Sequence, residues 1–185
     1  MINMTKHMRK KLIEEYPYLQ PRNVFTGEIS KDYDYQFIHG EYELPDGWLE
    51  LFLQMCEDIK EPLAKVDYLD KFRFTQVKEK YGTMRVYTYG ATNEVLDIIR
   101  KYEFLSAMVC CVCGKPANIR TYGWICPYCY EHIKDSCENV EDCEVIEVAT
   151  KYIREVWGPD ASVKTEVDCS EEWARYLARI NYVEV

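Results

Sequence analysis

The 185-residue sequence is short of histidine, with three, and of glycine, with eight, and it has no long apolar run. Each shortage removes a class of protein. Without an uninterrupted apolar stretch of span length, no membrane-crossing helix is expected. The histidines do not form H-E-x-x-H. The glycines fall into no G-x-S-x-G, P-loop or dinucleotide pattern, so no enzyme activity and no catalytic residue is expected. Positive charge is also scarce: 23 Lys and Arg face 32 Asp and Glu, for a net charge of −9. That balance argues against broad, sequence-independent binding to phosphate backbones, although it leaves room for a local basic patch. The first residues, MINMTKHMRKKLIEEY, lack an apolar core followed by a small-residue cleavage site. No secretory signal is expected, and a reducing, cytoplasmic setting follows, where cysteines bind metal more often than they cross-link. There is no internal repeat and no low-complexity tract.

What the sequence does have is a 48% hydrophobic share, 16 tyrosines and nine cysteines. Four cysteines stand as two C-x-x-C pairs in CCVCGKPANIRTYGWICPYC, residues 110–129: Cys110 with Cys113, and Cys126 with Cys129. Four thiolates can fill the tetrahedral shell of one zinc ion and leave no position open for water or substrate, which makes such a site structural. Gly114 suits the sharp turn that follows the first pair. The alternative is a set of buried or disulfide-linked thiols. His132, Cys137, Cys143 and Cys169 invite a second metal site, but their spacings match no tight ligand pair. Cys111, between two ligands, reads as a bystander.

Along the chain, residues 3–15 read as a short helix ended by Tyr16-Pro17. Residues 21–34 read as an irregular link, and residues 35–44 as an extended segment interrupted at Gly40. Pro45-Asp46-Gly47-Trp48 opens a second helix, with Asp46 able to accept from first-turn N–H groups. Trp48, Leu51, Phe52, Met55, Cys56 and Ile59 follow at helical spacing, until Pro62 disturbs or ends the run. Residues 71–89 read as two strands around Tyr81-Gly82, in a register that patterning leaves open. Residues 92–108 form the clearest helix, capped by Thr92 or Asn93. After Cys126, PYCYEHIKDSC reads as a helix with Pro127 in its first turn. Knuckle, hairpin and helix is the order of a treble-clef zinc finger, and a plain zinc ribbon is the competing geometry. An acidic run spans 131–147. Val145, Ile146, Ala149, Tyr152, Ile153, Val156 and Trp157 then mark a helical apolar face. Residues 162–167 alternate as a strand, and Ser170 caps a last helix.

The expected fold class is α+β: a small antiparallel sheet packed with helices, a treble-clef-like or ribbon finger, and a helical C-terminal extension. The boundaries are 1–109 for the body, 110–137 for the finger and 138–185 for the acidic extension. In some hairpin registers Arg73, Lys78 and Arg85 share a face with Tyr87 or Tyr89, a combination that can stack on and neutralise nucleic acid. The candidate contacts to nucleic acid are Lys78, Lys80, Arg85, Lys115 and Arg120.

Three pieces, DGWLELFLQMCEDI, QVKEKYGTMRVY and CCVCGKPANIRTYGWICPYC, together resemble a family of small proteins encoded by bacteriophages and prophages. The resemblance covers roughly residues 46–130. It implies expression in the cytoplasm of an infected bacterium, with Cys110, Cys113, Cys126 and Cys129 as ligands to one structural Zn2+. It carries no settled activity. The expected function is that of a non-enzymatic accessory protein that binds a host protein or complex, as a defence inhibitor or a nucleic-acid mimic. The alternative is nucleic-acid binding through the hairpin and finger.

Overall fold

The computed structural model describes residues 6–23, 26–29, 44–66, 71–117, 119–121, 126–133, 143–145, 152–156 and 164–183. The expected extended segment before residue 44, the finger tip at 122–125, Cys137 and most of the acidic run lie outside the described residues. Among the described residues no helix is long and apolar enough to cross a membrane.

The architecture is α+β. Helix α1 (Lys6–Glu15) leads through a short 3-10 turn at Pro17–Leu19. A second 3-10 turn, Asp46–Trp48, opens helix α2 (Leu49–Asp58), and α3 (Lys60–Lys65) follows directly. Pro62 lies inside α3 and the break comes at Ile59. A proline ring clashes with the carbonyl four residues earlier, here that of Asp58, so the interruption falls upstream of the proline itself. The residues at the cap positions, Pro45 and Trp48, make no side-chain cap. Instead the Gly47 N–H donates to the Cys111 carbonyl at 3.0 Å, so the finger satisfies a first-turn donor.

Strands β1 (Arg73–Lys80) and β2 (Thr83–Tyr89) form an antiparallel hairpin. Its turn residues Tyr81 and Gly82 have φ of 55° and 74°. Both are left-handed, as a two-residue turn that matches strand twist requires. Helix α4 (Asn93–Ser106) is capped by Thr92, whose side chain accepts from the Val95 N–H at 3.3 Å. It covers the free edge of β2. Ser106 Oγ accepts from the Met84 N–H at 2.8 Å, and a Glu103 carboxylate oxygen accepts from the Val86 N–H at 2.7 Å. An uncovered edge would present these donors to other chains.

Beyond the helix, β3 (Ile119–Thr121) lies between β4 (Pro127–Tyr128) and β5 (Cys143–Val145). Strands β6 (Tyr152–Val156) and β7 (Lys164–Asp168) pair antiparallel, and α5 (Ser170–Arg179) follows. Two expected helices are therefore absent from the described residues. Residues 127–128 are a strand that runs into turns, and residues 152–156 are a strand. Tyr, Ile and Val favour a pleated strand, and that preference overrides their approximate helical spacing. Among the described residues, the C-terminal extension holds β5, the antiparallel β6–β7 pair and one helix, α5. At the start of α5 Asp168, not Ser170, provides the acceptor, taking the Ser170 N–H at 3.1 Å.

One apolar core joins these pieces. Trp48, Phe52 and Met55 from the α2 region meet Phe72, Val77 and Met84 from the hairpin, Val95, Tyr102 and Leu105 from α4, and Trp173 and Tyr176 from α5. Burying each large side chain contributes roughly 1.5–3 kcal/mol. Polar ties fix how α5 docks. Arg175 makes a two-point pair with Asp58 at 2.7 and 2.8 Å, and Lys101 pairs with Glu172 at 2.7 Å. The Tyr102 hydroxyl also donates to Asp58.

At Gly47 backbone packs directly on backbone. A Cβ at Gly47 would lie 2.1 Å from the Cys110 carbonyl oxygen and 2.8 Å from the Gly114 nitrogen. Gly47→Ala is expected to destabilise the fold by at least about 2 kcal/mol through overpacking that no side chain can relieve. Urea denaturation checks this, and an unchanged midpoint would contradict it.

Candidate metal centre

The site begins where α4 ends. The chain doubles back so that the Ala117 N–H meets the Met108 carbonyl at 2.7 Å and the Cys110 N–H meets the Lys115 carbonyl at 2.8 Å. Inside this loop the Gly114 N–H donates to the Cys110 carbonyl at 3.0 Å, and Gly114 takes φ +79°. The tight turn presents Cys110 and Cys113 to the same side. A second turn, closed by the His132 N–H on the Cys129 carbonyl at 3.0 Å, does the same for Cys129 and His132. The halves are joined by the Cys111 N–H, which donates to the Pro127 carbonyl at 3.0 Å.

The four side chains that meet are Cys110, Cys113, Cys129 and His132, with all ligand atoms within 4.8 Å of one another. Cys129 Sγ is 3.2 Å from His132 Nδ1, Cys110 Sγ is 3.7 Å from the same nitrogen, and Cys113 Sγ is 3.8 Å from Cys129 Sγ. Around a tetrahedral ion with sulfur at about 2.3 Å and nitrogen at about 2.0–2.1 Å, neighbouring sulfurs sit roughly 3.8 Å apart and sulfur and nitrogen roughly 3.6 Å apart. The cluster already has close to the dimensions of a coordination shell, and it can hold a metal ion.

Cys110 and Cys129 are buried, His132 is half-buried and Cys113 is exposed. The Cys113 thiol is pushed up to about 12, first by desolvation and then by its cysteine neighbours Cys110 and Cys129. Crowded thiols resist ionising together. A bound cation reverses this, because a coordinating thiol gives up its proton outright.

Cys126 is not in the cluster, and His132 stands where the cysteine pattern places Cys126. The reason is local geometry. Pro127 and Tyr128 are extended and pair with Arg120 and Ile119. Three residues of extended chain separate Cys126 from Cys129 by roughly 10 Å, which carries their side chains apart. Cys126 is buried beside Cys111, and the two thiols hydrogen-bond. Contact with Cys126, followed by burial, raises the Cys111 thiol far above its ordinary range. His132 belongs to this group and not to a second one. Of Cys143 only the backbone is described, and Cys169 is buried against Lys101 and Glu172. The missed signal is in the sequence: Cys129-Tyr130-Glu131-His132 has the same two-residue gap as Cys110–Cys113.

The basic candidates divide. Lys78, Lys80 and Arg85 share one hairpin face, but Arg85 is only 7% exposed and closed to a ligand. Lys115 lies in the metal turn and pairs with Glu131 at 2.9 Å. Arg120 is on β3, and its side chain is not described.

Comparison with protein-family models, with curated proteins and with solved structures gives no match.

Elemental analysis of purified variants separates the two ligand sets. His132→Ala and Cys129→Ser are expected to lose the bound metal, and Cys126→Ser to keep it at one ion per chain. The opposite pattern, with Cys126→Ser empty and His132→Ala loaded, would return Cys126 to the shell.

Proposed function

We propose that this is a non-enzymatic, zinc-stabilised accessory protein of the phage-encoded kind that its sequence resembles, and that it acts in the host cytoplasm by binding a host protein. Three thiolates and an imidazole in a tetrahedral set suit zinc, which is soft enough for sulfur and imposes no other geometry. A filled shell supports a structural role for the ion. Its effect is to hold the finger against the body, where Trp48 Nε1 donates to the Val109 carbonyl at 2.8 Å and the Tyr176 hydroxyl to the Gly114 carbonyl at 2.7 Å.

The observation that carries the binding reading is a groove of about 670 Å³ beside the ligands, between the finger and the end of α5. Tyr130, Tyr182 and Val183 line it while remaining 61%, 37% and 76% exposed. The Lys115–Glu131 pair and Asn181 supply a polar rim. Aromatic and apolar groups exposed inside a polar rim are the composition of a protein contact. A partner with a basic surface also suits the net charge of −9, as expected for a defence inhibitor or a nucleic-acid mimic.

Affinity capture from bacterial lysate, followed by mass spectrometry, tests this. A specific, stoichiometric protein partner is expected with the wild type. It should be lost with Tyr130→Ala/Tyr182→Ala while the melting temperature stays within a few degrees. Absence of a partner, or a partner kept by the double variant, would contradict the proposal.

A further inference from the structure

The hairpin carries a second surface, remote in composition from the groove. In the observed register Arg73 stands opposite Tyr89, Gln76 opposite Tyr87, Lys78 opposite Arg85, and Lys80 opposite Thr83. Side chains alternate along a strand, so these residues share one face. Phe74, Val77 and Met84 occupy the other face and are buried in the core. The acid of the hairpin, Glu79, pairs in register with Met84 on that inner side, and its carboxylate accepts the Gly82 N–H at 2.7 Å to close the turn. The outer face therefore has cations and no carboxylate of its own, in a chain that is acidic as a whole.

Its aromatics are open. Tyr87 and Tyr89 are 44% and 56% exposed, and Tyr81, in the turn that ends the face, is 53% exposed. Each has a cation against its ring: Arg73 lies 4.1 Å from the centroid of Tyr89, Lys78 lies 5.4 Å from that of Tyr87, and Lys80 lies 5.3 Å from that of Tyr81. A large exposed ring with a positive charge beside it recurs three times along about 20 Å of hairpin, at roughly 3.3 Å per residue. Strand structure and burial account for the inner face. Neither calls for three exposed tyrosines in company with three cations.

We propose that this outer face binds single-stranded nucleic acid without regard to sequence. Unpaired bases stack on Tyr81, Tyr87 and Tyr89, and Arg73, Lys78 and Lys80 neutralise the adjoining phosphates. Every base has a π-face, so stacking tolerates any sequence. A duplex keeps its base faces inside its own stack and offers this surface only phosphate contacts. Three neutralised phosphates predict that log affinity falls with log salt with a slope of roughly two. The face lies on other residues than the groove, so either proposal can fail alone.

The test is fluorescence anisotropy at low salt on the metal-loaded protein, with a labelled oligothymidylate of about 12 nucleotides, inside the range of single-strand site sizes. A duplex of equal length is the comparison. The single strand is expected to bind, and the duplex at least about tenfold more weakly, because stacking on rings is lost. Tyr87→Leu/Tyr89→Leu should lose about tenfold or more, and Tyr87→Phe/Tyr89→Phe should retain binding, because it keeps the ring faces. Lys78→Ala/Lys80→Ala should weaken binding and flatten its salt dependence. Equal affinity for duplex, or full binding by the leucine variant, would overturn the stacking face while leaving a phosphate contact. No binding of either probe would overturn the proposal entirely. Should the leucine variant melt early, the strand preference and the lysine variant decide.

Discussion

The structure depends on four donor atoms from two short turns meeting within 4.8 Å. Three sulfurs and a nitrogen do not gather at that spacing for their own benefit. Thiols interact weakly, and crowded thiolates repel. A bound cation would convert the cluster from a crowded meeting of polar groups into a local tie, and metal binding would then count as folding free energy. The finger meets the start of α2, where Gly47 and Gly114 let two backbones touch. Loosening either side releases the other, because the Gly47 N–H relies on a carbonyl from the ligand turn.

The body supplies a platform for two outward surfaces. Helix α4 covers the edge of β2, and on the outer face of the hairpin Tyr87 and Tyr89 stay exposed while Thr83 and Arg85 are buried. The docking of α5 through Asp58, Glu172 and Tyr176 places its C-terminal end against the finger and creates the groove. Both surfaces are rich in tyrosine, a side chain that offers a rigid apolar body with a polar tip at little cost in conformational entropy. The ligand cluster borders the groove and shares no residue with the hairpin.

Much of the fold was legible where several local signals agreed. Helix α4 has a cap at Thr92, an acid in its first turn and an apolar stripe, and it forms as those signals require. Tyr81-Gly82 between two β-prone runs specifies the hairpin turn, while the register, and with it the sharing of one face by Arg73, Lys78, Tyr87 and Tyr89, needed three-dimensional pairing. Three members of the candidate cluster, Cys110, Cys113 and Cys129, were legible. The fourth was not, because Cys126 and His132 lie at equal spacing on either side of Cys129. Which of them joins depends on whether the chain is extended or turned. The intervening Pro-Tyr is extended and Tyr-Glu is turned, and pair spacing does not encode that difference. Residues 152–156 were misread for a related reason: a few apolar residues fit a helical stripe and a strand equally, and β-branched side chains tip the balance.

The most direct test of the central claim is X-ray absorption spectroscopy at the zinc edge of the protein loaded with one equivalent of zinc. A shell of three sulfurs at about 2.3 Å and one nitrogen at about 2.0–2.1 Å is expected for Cys110, Cys113, Cys129 and His132. A shell of four sulfurs, with no imidazole scattering beyond it, would contradict the account and return the fourth position to Cys126.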